Sequence, residues 1–585
     1  EQAFVHLVGW NVRLDRRTAG VVGAAKAAPH SMVQEVLNRT DDHLWAIVSN
    51  GRQLRILRDN SSLTRAAYVE FDLEQMFSEG IFTDFVALWL LVHASRVEGD
   101  PQSGCWLETW ANEARQQGVR ALDTLGQGFE DAIATLGQGF LAHPANNALR
   151  ARLRDGDLAK QDYYRQLLRL VYRLVFLMVA EDRSLLHPPE TTSHAKDHYA
   201  RYYSLSRVRD LARRRRGTKH SDLWDQLVIV ARCLGPEGQP ALGLPALNSG
   251  LWAVDGTADL DSARLPNSYL LAAVRSLAYP KQDEALHRID YRNLGSEELG
   301  SVYESLLELQ PFFDSTTSTF RLDHASGNER KTTGSYYTPT SLISSLLDTS
   351  LNRLLDDAVA QPDAEGALLA LRVIDPACGS GHFLVAAAQR IARRLAVLRT
   401  DETDPPPSTV RHALREVIGR CVYGIDRNPM AVELCKVSLW LESVEPGKPL
   451  SFLDHHIVCG NGLLGTTPRL LQQGVPDAAF VAIEGDDKPT ATARKRANAR
   501  EREHRTQGLL GLVFSSGALT EPIATEMASI ESLPSDTPAQ VAEQAERYRR
   551  LQESVEAEKA RLAADAWCAA LSLIHISEPT RQAEI

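Results

Sequence analysis

One stretch constrains the fold of this chain more than any other: residues 371–387, which read LRVIDPACGSGHFLVAA. Its apolar start, Leu371 to Ile374, predicts a short buried parallel strand that ends at Asp375. Gly379 and Gly381 then predict a tight turn, and apolar residues at three-to-four spacing predict a helix after the turn. A strand, a glycine turn and a helix in this order present backbone N–H groups to a ligand at the strand's carboxyl end. A turn that serves packing alone is the alternative.

The chemistry of the turn disfavours a dinucleotide. It reads GSGHFL, so the third glycine of the GxGxxG fingerprint is missing. The carboxylate of Asp375 beside the turn would repel a pyrophosphate and favour a cationic ligand. S-adenosylmethionine carries a sulfonium, an ammonium and no phosphate, so it fits this turn better than NAD does. A nicotinamide-dependent oxidoreductase is therefore the disfavoured alternative.

Composition limits the class of protein. A chain of 585 residues predicts several domains, and 44% hydrophobic with 24% charged residues is ordinary for a soluble protein. No apolar run reaches membrane-spanning length and no signal peptide opens the chain, so we expect no membrane association. Seven cysteines without a CxxC pair indicate reduced thiols and a bacterial cytoplasm. The pI of about 5.9 does not itself indicate nucleic acid, although total charge says little about local patches.

The two ends of the chain are unusual. It begins at Glu1 rather than Met, and residues 571–585 read LSLIHISEPTRQAEI, which resembles a sequencing adapter translated in frame. We expect this segment to be a non-native, disordered tail. The natural sequence would then stop near Ala570, and the chain would be a truncated fragment of a longer protein.

Residues 1–100 are predicted to form a small α/β unit. Strand-like runs at Leu44 to Val48 and Leu54 to Leu57 flank an Asn-Gly pair, which is a strong hairpin signal. A third strand is predicted at Tyr68 to Phe71 and a helix at Phe82 to Val92. The segment lacks the D…ExK set of a metal-dependent nuclease, so we interpret it as scaffolding.

Residues 101–330 are predicted to be mainly helical. Tyr163 to Ala180 is strongly apolar, and we expect a core helix whose Arg165, Arg169 and Arg173 snorkel along one edge. Further on, Arg213, Arg214, Arg215 and Arg216 concentrate positive charge. Phosphate contact and a solvated helix face are both open interpretations of this cluster.

Two further signals accompany the glycine turn. GSYYTP, at residues 334–339, lies about 37 residues before DPACGSG and opens a helix at Thr340, where Thr-Pro is good capping chemistry. Cys421 to Asp426 reads as a second strand that ends on a carboxylate. Such a carboxylate can accept hydrogen bonds from both ribose hydroxyls of a cofactor, although a purely structural strand-end aspartate is the alternative.

Together these motifs resemble the gamma-class amino-methylating DNA methyltransferases, the N6-adenine enzymes, in the branch of single-chain restriction–modification and phage-defence proteins. The resemblance is strong over residues 290–465 and looser before them. It implies an α/β fold in which residues 331–465 form an incomplete Rossmann-like S-adenosylmethionine-dependent methyltransferase sheet. It also implies transfer of the cofactor's methyl group to N6 of a flipped-out adenine in double-stranded DNA.

The resemblance also implies the cofactor-binding residues. The GSYYTP motif would touch the methionine end, the glycine turn would wrap the cofactor, and the strand-end aspartate would hold the ribose. Ile457 to Cys459 fits a third strand. Asn461 in its exit loop, where the family usually has aspartate, would lie near the cofactor's adenine. The residues concerned are Tyr336, Tyr337, Thr338, Asp375, Ala377, Gly379, Gly381, Phe383, Asp426 and Asn461.

The catalytic motif of that family, Asn, Asp or Ser followed by Pro-Pro and an aromatic residue, is absent from the sequence. The Pro-Pro sites at 188–189 and 405–407 are not followed by an aromatic residue. We therefore expect no catalytic residue and an inactive fragment. A non-catalytic module that binds cofactor and DNA, such as a recognition or regulatory subunit, is the alternative.

Residues 466–570 are predicted to be a polar, helical insertion. Its basic run includes Arg494, Lys495 and Arg496, a second candidate for DNA contact. Just before it, His455, His456 and Cys459 do not predict a metal site, because side chains alternate along a strand and a fourth ligand is missing. We therefore expect no metal.

Overall fold

The structure is a computed structural model. It describes residues 3–39, 43–58, 68–98, 105–282, 285–286, 288–289, 291–292, 302, 306, 309–324, 338, 340–402, 405–480, 482, 487–507 and 516–573. The fold is mixed α/β, with extensive helix and small sheets. Among the described helices, none is both long and apolar enough to cross a membrane.

The N-terminal unit is a four-stranded sheet in the order β1-β2-β3-β4. Its elements are β1 (Phe4–Leu7), α1 (Pro29–Arg39), β2 (Trp45–Ser49), β3 (Gln53–Arg58), β4 (Tyr68–Asp72), α2 (Leu73–Ser78) and α3 (Phe82–Val92). β1 pairs parallel to β2, and the other pairs are antiparallel. The predicted hairpin, third strand and helix are confirmed. β1 and α1 are findings that the sequence pattern did not predict.

A mainly helical region follows. Its helices are α4 (Trp106–Ala142), α5 (Asn147–Asp155), α6 (Lys160–Asp182), α7 (Ser193–Tyr202), α8 (Leu205–Arg214), α9 (Asp222–Cys233), α10 (Ala258–Asp261) and α11 (Asn267–Ala278). Two small hairpins come next, β5 (Lys281–Gln282) with β6 (Ala285–Leu286) and β7 (Leu309–Asp314) with β8 (Thr319–His324). α6 is buried along most of its length, as its apolar sequence predicts.

A three-stranded parallel sheet forms the next part of the chain. Its elements are α12 (Thr340–Val359), α13 (Ala364–Leu369), β9 (Val373–Asp375), α14 (His382–Thr400), α15 (Pro407–Arg420), β10 (Val422–Asp426), α16 (Pro429–Ser443) and β11 (Ile457–Cys459). The strand order is β11-β10-β9. The alternation of strand and helix produces parallel pairing, because each helix carries the chain back to the end of the sheet where the previous strand began. All three predicted strands are present.

One hydrophobic core runs from the helical region into the parallel sheet, from Leu125 to Ile457. α6 packs against α16, and Arg169 forms an ion pair with Glu433 across that contact. The N-terminal unit is linked to the segment after α14 by a buried hydrogen bond of 3.1 Å, which the backbone N–H of Ala28 donates to Glu402 Oε1. The boundaries at 100, 330 and 465 therefore remain predictions about sequence segments.

Five helices end the described chain: α17 (Pro468–Gln473), α18 (Lys488–Gln507), α19 (Ser516–Ser532), α20 (Pro538–Gln552) and α21 (Val555–Leu573). α20 begins with a capping box between Thr537 and Gln540. α19 reaches the sheet, where Tyr423 of β10 donates a hydrogen bond of 3.1 Å to Glu531. The prediction of a disordered tail from residue 571 is wrong for residues 571–573, which continue α21, and residues 574–585 lie outside the described residues.

Candidate functional site

The glycine turn connects β9 to α14 in a left-handed backbone conformation. Gly379 has a φ of +51° and Gly381 a φ of +84°. A Cβ atom on Gly381 would lie 2.7 Å from Cys435 Sγ, whereas a Cβ on Gly379 would meet no atom within 4 Å. Gly381 is therefore required for both its backbone angle and its packing. At Gly379 the angle alone requires glycine, and the space above it is open.

Asp426 fastens this turn to the neighbouring strand. Its Oδ2 accepts a hydrogen bond of 2.9 Å from the backbone N–H of Gly379, and its Oδ1 accepts one of 2.8 Å from that of Asn428. The sheet thus brings the carboxylate that ends β10 against the turn that follows β9. A carboxylate has about four lone-pair sites, so two remain for a ligand. Asp426 has a structural role and keeps capacity for a functional one.

Asp375 lies with Asp426 at the carboxyl ends of the parallel strands, and it determines the electrostatics there. Burial raises the pKa of this carboxyl above its ordinary value of 3.8, the backbone N–H of Ala377 lowers it, and the nearby charge of Asp426 raises it further. Oδ1 accepts the hydrogen bond from Ala377, while Oδ2 accepts none from the described residues. Two carboxylates close together on a partly buried edge favour a cationic ligand.

The exit loop of β11 packs against the carboxyl ends of β10 and β9. The backbone N–H of Gly460 donates a hydrogen bond of 2.9 Å to the Asp426 carbonyl. A Cβ on Gly462 would lie 2.4 Å from the Pro376 carbonyl oxygen, so this loop touches the turn after β9. Asn461 is exposed, and its Oδ1 accepts the backbone N–H groups of Leu463 and Leu464. Its NH₂ group is the part that can reach a ligand.

The remaining predicted cofactor residues are Ala377, Phe383, Thr338, Tyr336 and Tyr337. Ala377 is exposed in the turn, and Phe383 is partly buried in the first turn of α14. Thr338 is exposed, and Tyr336 and Tyr337 lie outside the described residues.

The direction of α12 indicates where Thr338 lies with respect to the glycine turn. Arg390 of α14 pairs with Asp348 of α12, and Arg394 pairs with Asp356 at 2.6 Å. The two helices therefore run in the same general direction. As a result, Thr338, which precedes α12 by two residues, lies towards the end of α14 where the glycine turn is.

The two basic clusters lie on helices outside the sheet. Arg213, Arg214, Arg215 and Arg216 are exposed at and after the end of α8, and Arg494, Lys495 and Arg496 are exposed on α18. None of these side chains forms an ion pair with a described residue. Arg209 differs, because it is buried and paired with Asp182.

A family comparison identifies this arrangement. The N-6 DNA Methylase family matches residues 319–456, which include β9, the glycine turn and β10. The chain contains an N6 DNA methylase domain. The match ends one residue before β11, so the Asn461 loop lies just beyond the matched part of the methylase domain.

Two curated relatives that match this chain bear the names of combined restriction and methyltransferase proteins. A Methanocaldococcus jannaschii protein that bears the name of a type II restriction enzyme and methyltransferase, RM.MjaORFECS2P, is 32% identical over 115 residues, 18% of this chain and 9% of the relative. The type II restriction enzyme and methyltransferase RM.Eco57I of Escherichia coli is 24% identical over 245 residues, 39% of this chain and 23% of the relative. The chain thus spans less than a quarter of either relative.

One solved structure is also similar. The type IIL restriction-modification enzyme MmeI, in complex with DNA, matches with a TM-score of 0.32 and 16% identity, over 57% of this chain and 40% of that one.

The closure of the β11 loop over the β9 turn was not foreseen in the sequence. Its signal was present as Gly460 and Gly462, two glycines around Asn461. A Gly-x-Gly after a strand can mark a close approach of two backbone segments, which Pro376 and Gly462 make here.

Proposed function

We propose that residues 331–465 bind S-adenosylmethionine at the carboxyl edge of the parallel sheet, and that this sheet is the first part of a Rossmann-like methyltransferase fold. The protein to which the chain belongs would transfer the methyl group to N6 of adenine in double-stranded DNA, in a cytoplasmic restriction–modification or phage-defence system. The observation that carries the proposal is the hydrogen bond of 2.9 Å between Gly379 N and Asp426 Oδ2, inside the methylase domain.

The residues of the edge fit this cofactor. The two free lone-pair sites of Asp426 match the two ribose hydroxyls. The carboxylates of Asp375 and Asp426 suit a ligand with a sulfonium and an ammonium. Open space above Gly379 allows a ligand to approach the backbone. Thr338, with Tyr336 and Tyr337, would hold the methionine end, as the family resemblance implies.

The cofactor supplies an electrophilic methyl group, and the target adenine amino group must be positioned to attack it. The sequence contains no Pro-Pro-aromatic motif, so we assign no catalytic residue to these 585 residues. What this chain contributes is binding and orientation of the methyl donor. The basic clusters on α8 and α18 are our candidates for contact with DNA phosphates.

Calorimetry with S-adenosylmethionine and with NAD tests the proposal. We expect binding of one S-adenosylmethionine per chain and no binding of NAD. Asp426→Ala should weaken binding tenfold or more, because it removes two charge-assisted hydrogen bonds to the ribose. Asp357→Ala, which removes an exposed carboxylate on α12, should leave the affinity unchanged.

Asp426 also holds the glycine turn, so circular dichroism must show that the Asp426→Ala chain is folded. Tighter binding of NAD than of the methyl donor would contradict the proposal, as would unchanged affinity in the folded variant. Tritium transfer to adenine-containing DNA, measured on a natural protein that includes this sequence and the Pro-Pro-aromatic motif, separates an enzyme from a module that only binds.

A further inference from the structure

Three side chains with metal-binding atoms converge beside the parallel sheet. His455 and His456 immediately precede β11, and Glu531 lies at the end of α19, 75 positions after His456. One ligand atom from each residue lies within 4.8 Å of the other two. The strand alternation that separates His456 from Cys459 does not apply to this set, because the third residue comes from a distant helix.

His456 is held in the orientation of a metal ligand. It is 2% exposed, and its Nδ1 lies 2.8 Å from the Val422 carbonyl oxygen. That carbonyl can only accept a hydrogen bond, so Nδ1 carries the proton and Nε2 carries a lone pair. Metal-binding histidines commonly donate their second ring N–H to a carbonyl in this way. Nε2 is buried and has no hydrogen-bond partner among the described residues.

The ring of His456 is further fixed by stacking. It stacks on Tyr423, with ring centroids 4.2 Å apart and ring planes inclined by 23°. An unpaired buried acceptor costs free energy unless something binds it. The lone pair of Nε2 is therefore both held in place and unsatisfied.

His455 has the same character. It is 8% exposed, stacks on Phe452 with centroids 5.1 Å apart, and contacts Tyr548 of α20. Its Nδ1 is also buried without a partner among the described residues. Neutral imidazole is the form that binds metal ions.

Glu531 brings the negative charge. Its Oε1 accepts the hydroxyl of Tyr423 at 3.1 Å, and its Oε2 lies 3.8 Å from Arg372 Nη2. The side chain is 29% exposed, so it retains freedom to rotate. Arg372 and Lys436 oppose a cation here, but Lys436 is paired with Asp454 and Arg372 is 47% exposed.

We propose that His455, His456 and Glu531 form a binding site for a divalent transition metal of the Zn²⁺ type, with water as the fourth ligand. Two imidazoles and a carboxylate suit zinc, whereas magnesium and calcium prefer oxygen ligands alone. Tetrahedral bonds of about 2.0–2.1 Å place ligand atoms about 3.4 Å apart, so the set must contract by about 1.4 Å at most. Rotation of the partly exposed Glu531 can shorten its own distances to the two histidines.

A metal at this position would fasten α19 to the sheet. His455 and His456 lie directly before β11, whose exit loop carries Asn461 and touches the glycine turn. The site would therefore hold the helices after residue 466 against the strand that completes the cofactor edge. This role is structural and does not depend on methyl transfer.

Titration of the metal-free 585-residue chain with Co²⁺ tests the site, because Co²⁺ replaces Zn²⁺ and absorbs visible light in tetrahedral sites. We expect one Co²⁺ per chain, visible d–d bands, no thiolate-to-cobalt charge-transfer band, and displacement by Zn²⁺. Glu531→Gln should weaken binding at least tenfold. Glu521→Gln is the matched control, because it makes the same charge change about 15 Å earlier along α19.

A stability measurement gives a second readout. Zn²⁺ should raise the Tm of the unaltered chain and of the Glu521→Gln chain, but not that of the Glu531→Gln chain. If Glu531→Gln does not fold, His455→Gln takes its place, since it removes a different ligand. Unchanged affinity in a folded ligand variant would overturn the proposal. A thiolate charge-transfer band would do the same, because it would assign binding to a cysteine such as the exposed Cys459.

Discussion

Single residues of the same type have different roles in this chain, and the arginines of α6 show this. The sequence predicts that Arg165, Arg169 and Arg173 all snorkel. Arg165 is 44% exposed, as expected, but Arg173 is 4% exposed. Its guanidinium donates to the carbonyls of Leu251 and Ala253. These acceptors lie 78 and 80 positions after Arg173, so the pattern within one helix could not reveal them.

The two glycines of the turn provide a prediction at this scale. Gly379→Ala should lower the free energy of unfolding by about 1–2 kcal/mol, the cost of a left-handed conformation for a residue with a Cβ. Gly381→Ala should lower it by about 1–3 kcal/mol more, because its Cβ also collides with Cys435. Urea unfolding of both variants measures the difference. Equal losses would contradict the contact with Cys435.

At the scale of elements, the acid sensitivity of the junction between α19 and β11 can be predicted. His455 and His456 have pKa values lowered to about 4 and about 3 by burial, whereas an unfolded histidine titrates near 6.5. Between these values the unfolded chain binds more protons, so stability is full above about pH 6.5 and falls as the pH falls. Each histidine contributes a slope of up to about 1.4 kcal/mol per pH unit.

Unfolding by urea at about pH 7.5 and about pH 5 measures this effect. His455→Gln should reduce the loss of stability between the two pH values, because one of the two protonation steps is removed. His30, whose pKa burial also lowers to about 4, contributes equally to both chains and cancels in the comparison. An equal loss in the variant would contradict the buried neutral state of His455.

The exposed edge strand β9 gives another prediction at this scale. In the described part of the sheet, β9 pairs with β10 alone, and Ile374 is 60% exposed. An exposed edge strand with an apolar side chain favours pairing with a second chain. Ile374→Lys should therefore reduce concentration-dependent association, measured by sedimentation velocity. Val555→Lys is the control, because it adds the same charge at an exposed valine on α21. Equal effects of both changes would assign the improvement to net charge.

At the scale of the whole molecule, sequence reasoning succeeded where signals are local and failed where they are distant. β9, β10 and β11 were predictable because each is a short apolar run that ends at a polar residue or a glycine. β1 was not, since its partner β2 lies about 40 residues away and the pairing leaves no local pattern. Glu531 could not be linked to His456 for the same reason. The continuous core from Leu125 to Ile457 likewise has no signature in any single segment.

DNA binding is the property to test at this scale. Replacing Arg213, Arg214, Arg215 and Arg216 with glutamine should lower the salt slope of DNA affinity by about one for each phosphate that the cluster no longer neutralises. The control replaces Arg549 and Arg550 of α20, which are exposed but paired with Glu546. Fluorescence anisotropy over a series of salt concentrations measures the slope. An unchanged slope would assign the α8 cluster to a solvated helix face.

The buried hydrogen bond from Ala28 to Glu402 has a consequence for how the chain is made. Its two partners are 374 positions apart. A ribosome that adds about 5–20 residues per second takes about 20–75 seconds to travel that distance. During this interval the N-terminal unit has left the ribosome, but Glu402, which binds Ala28 in the folded chain, has not yet been synthesised. Any protein that binds nascent chains therefore has tens of seconds in which the surface around Ala28 is open to it.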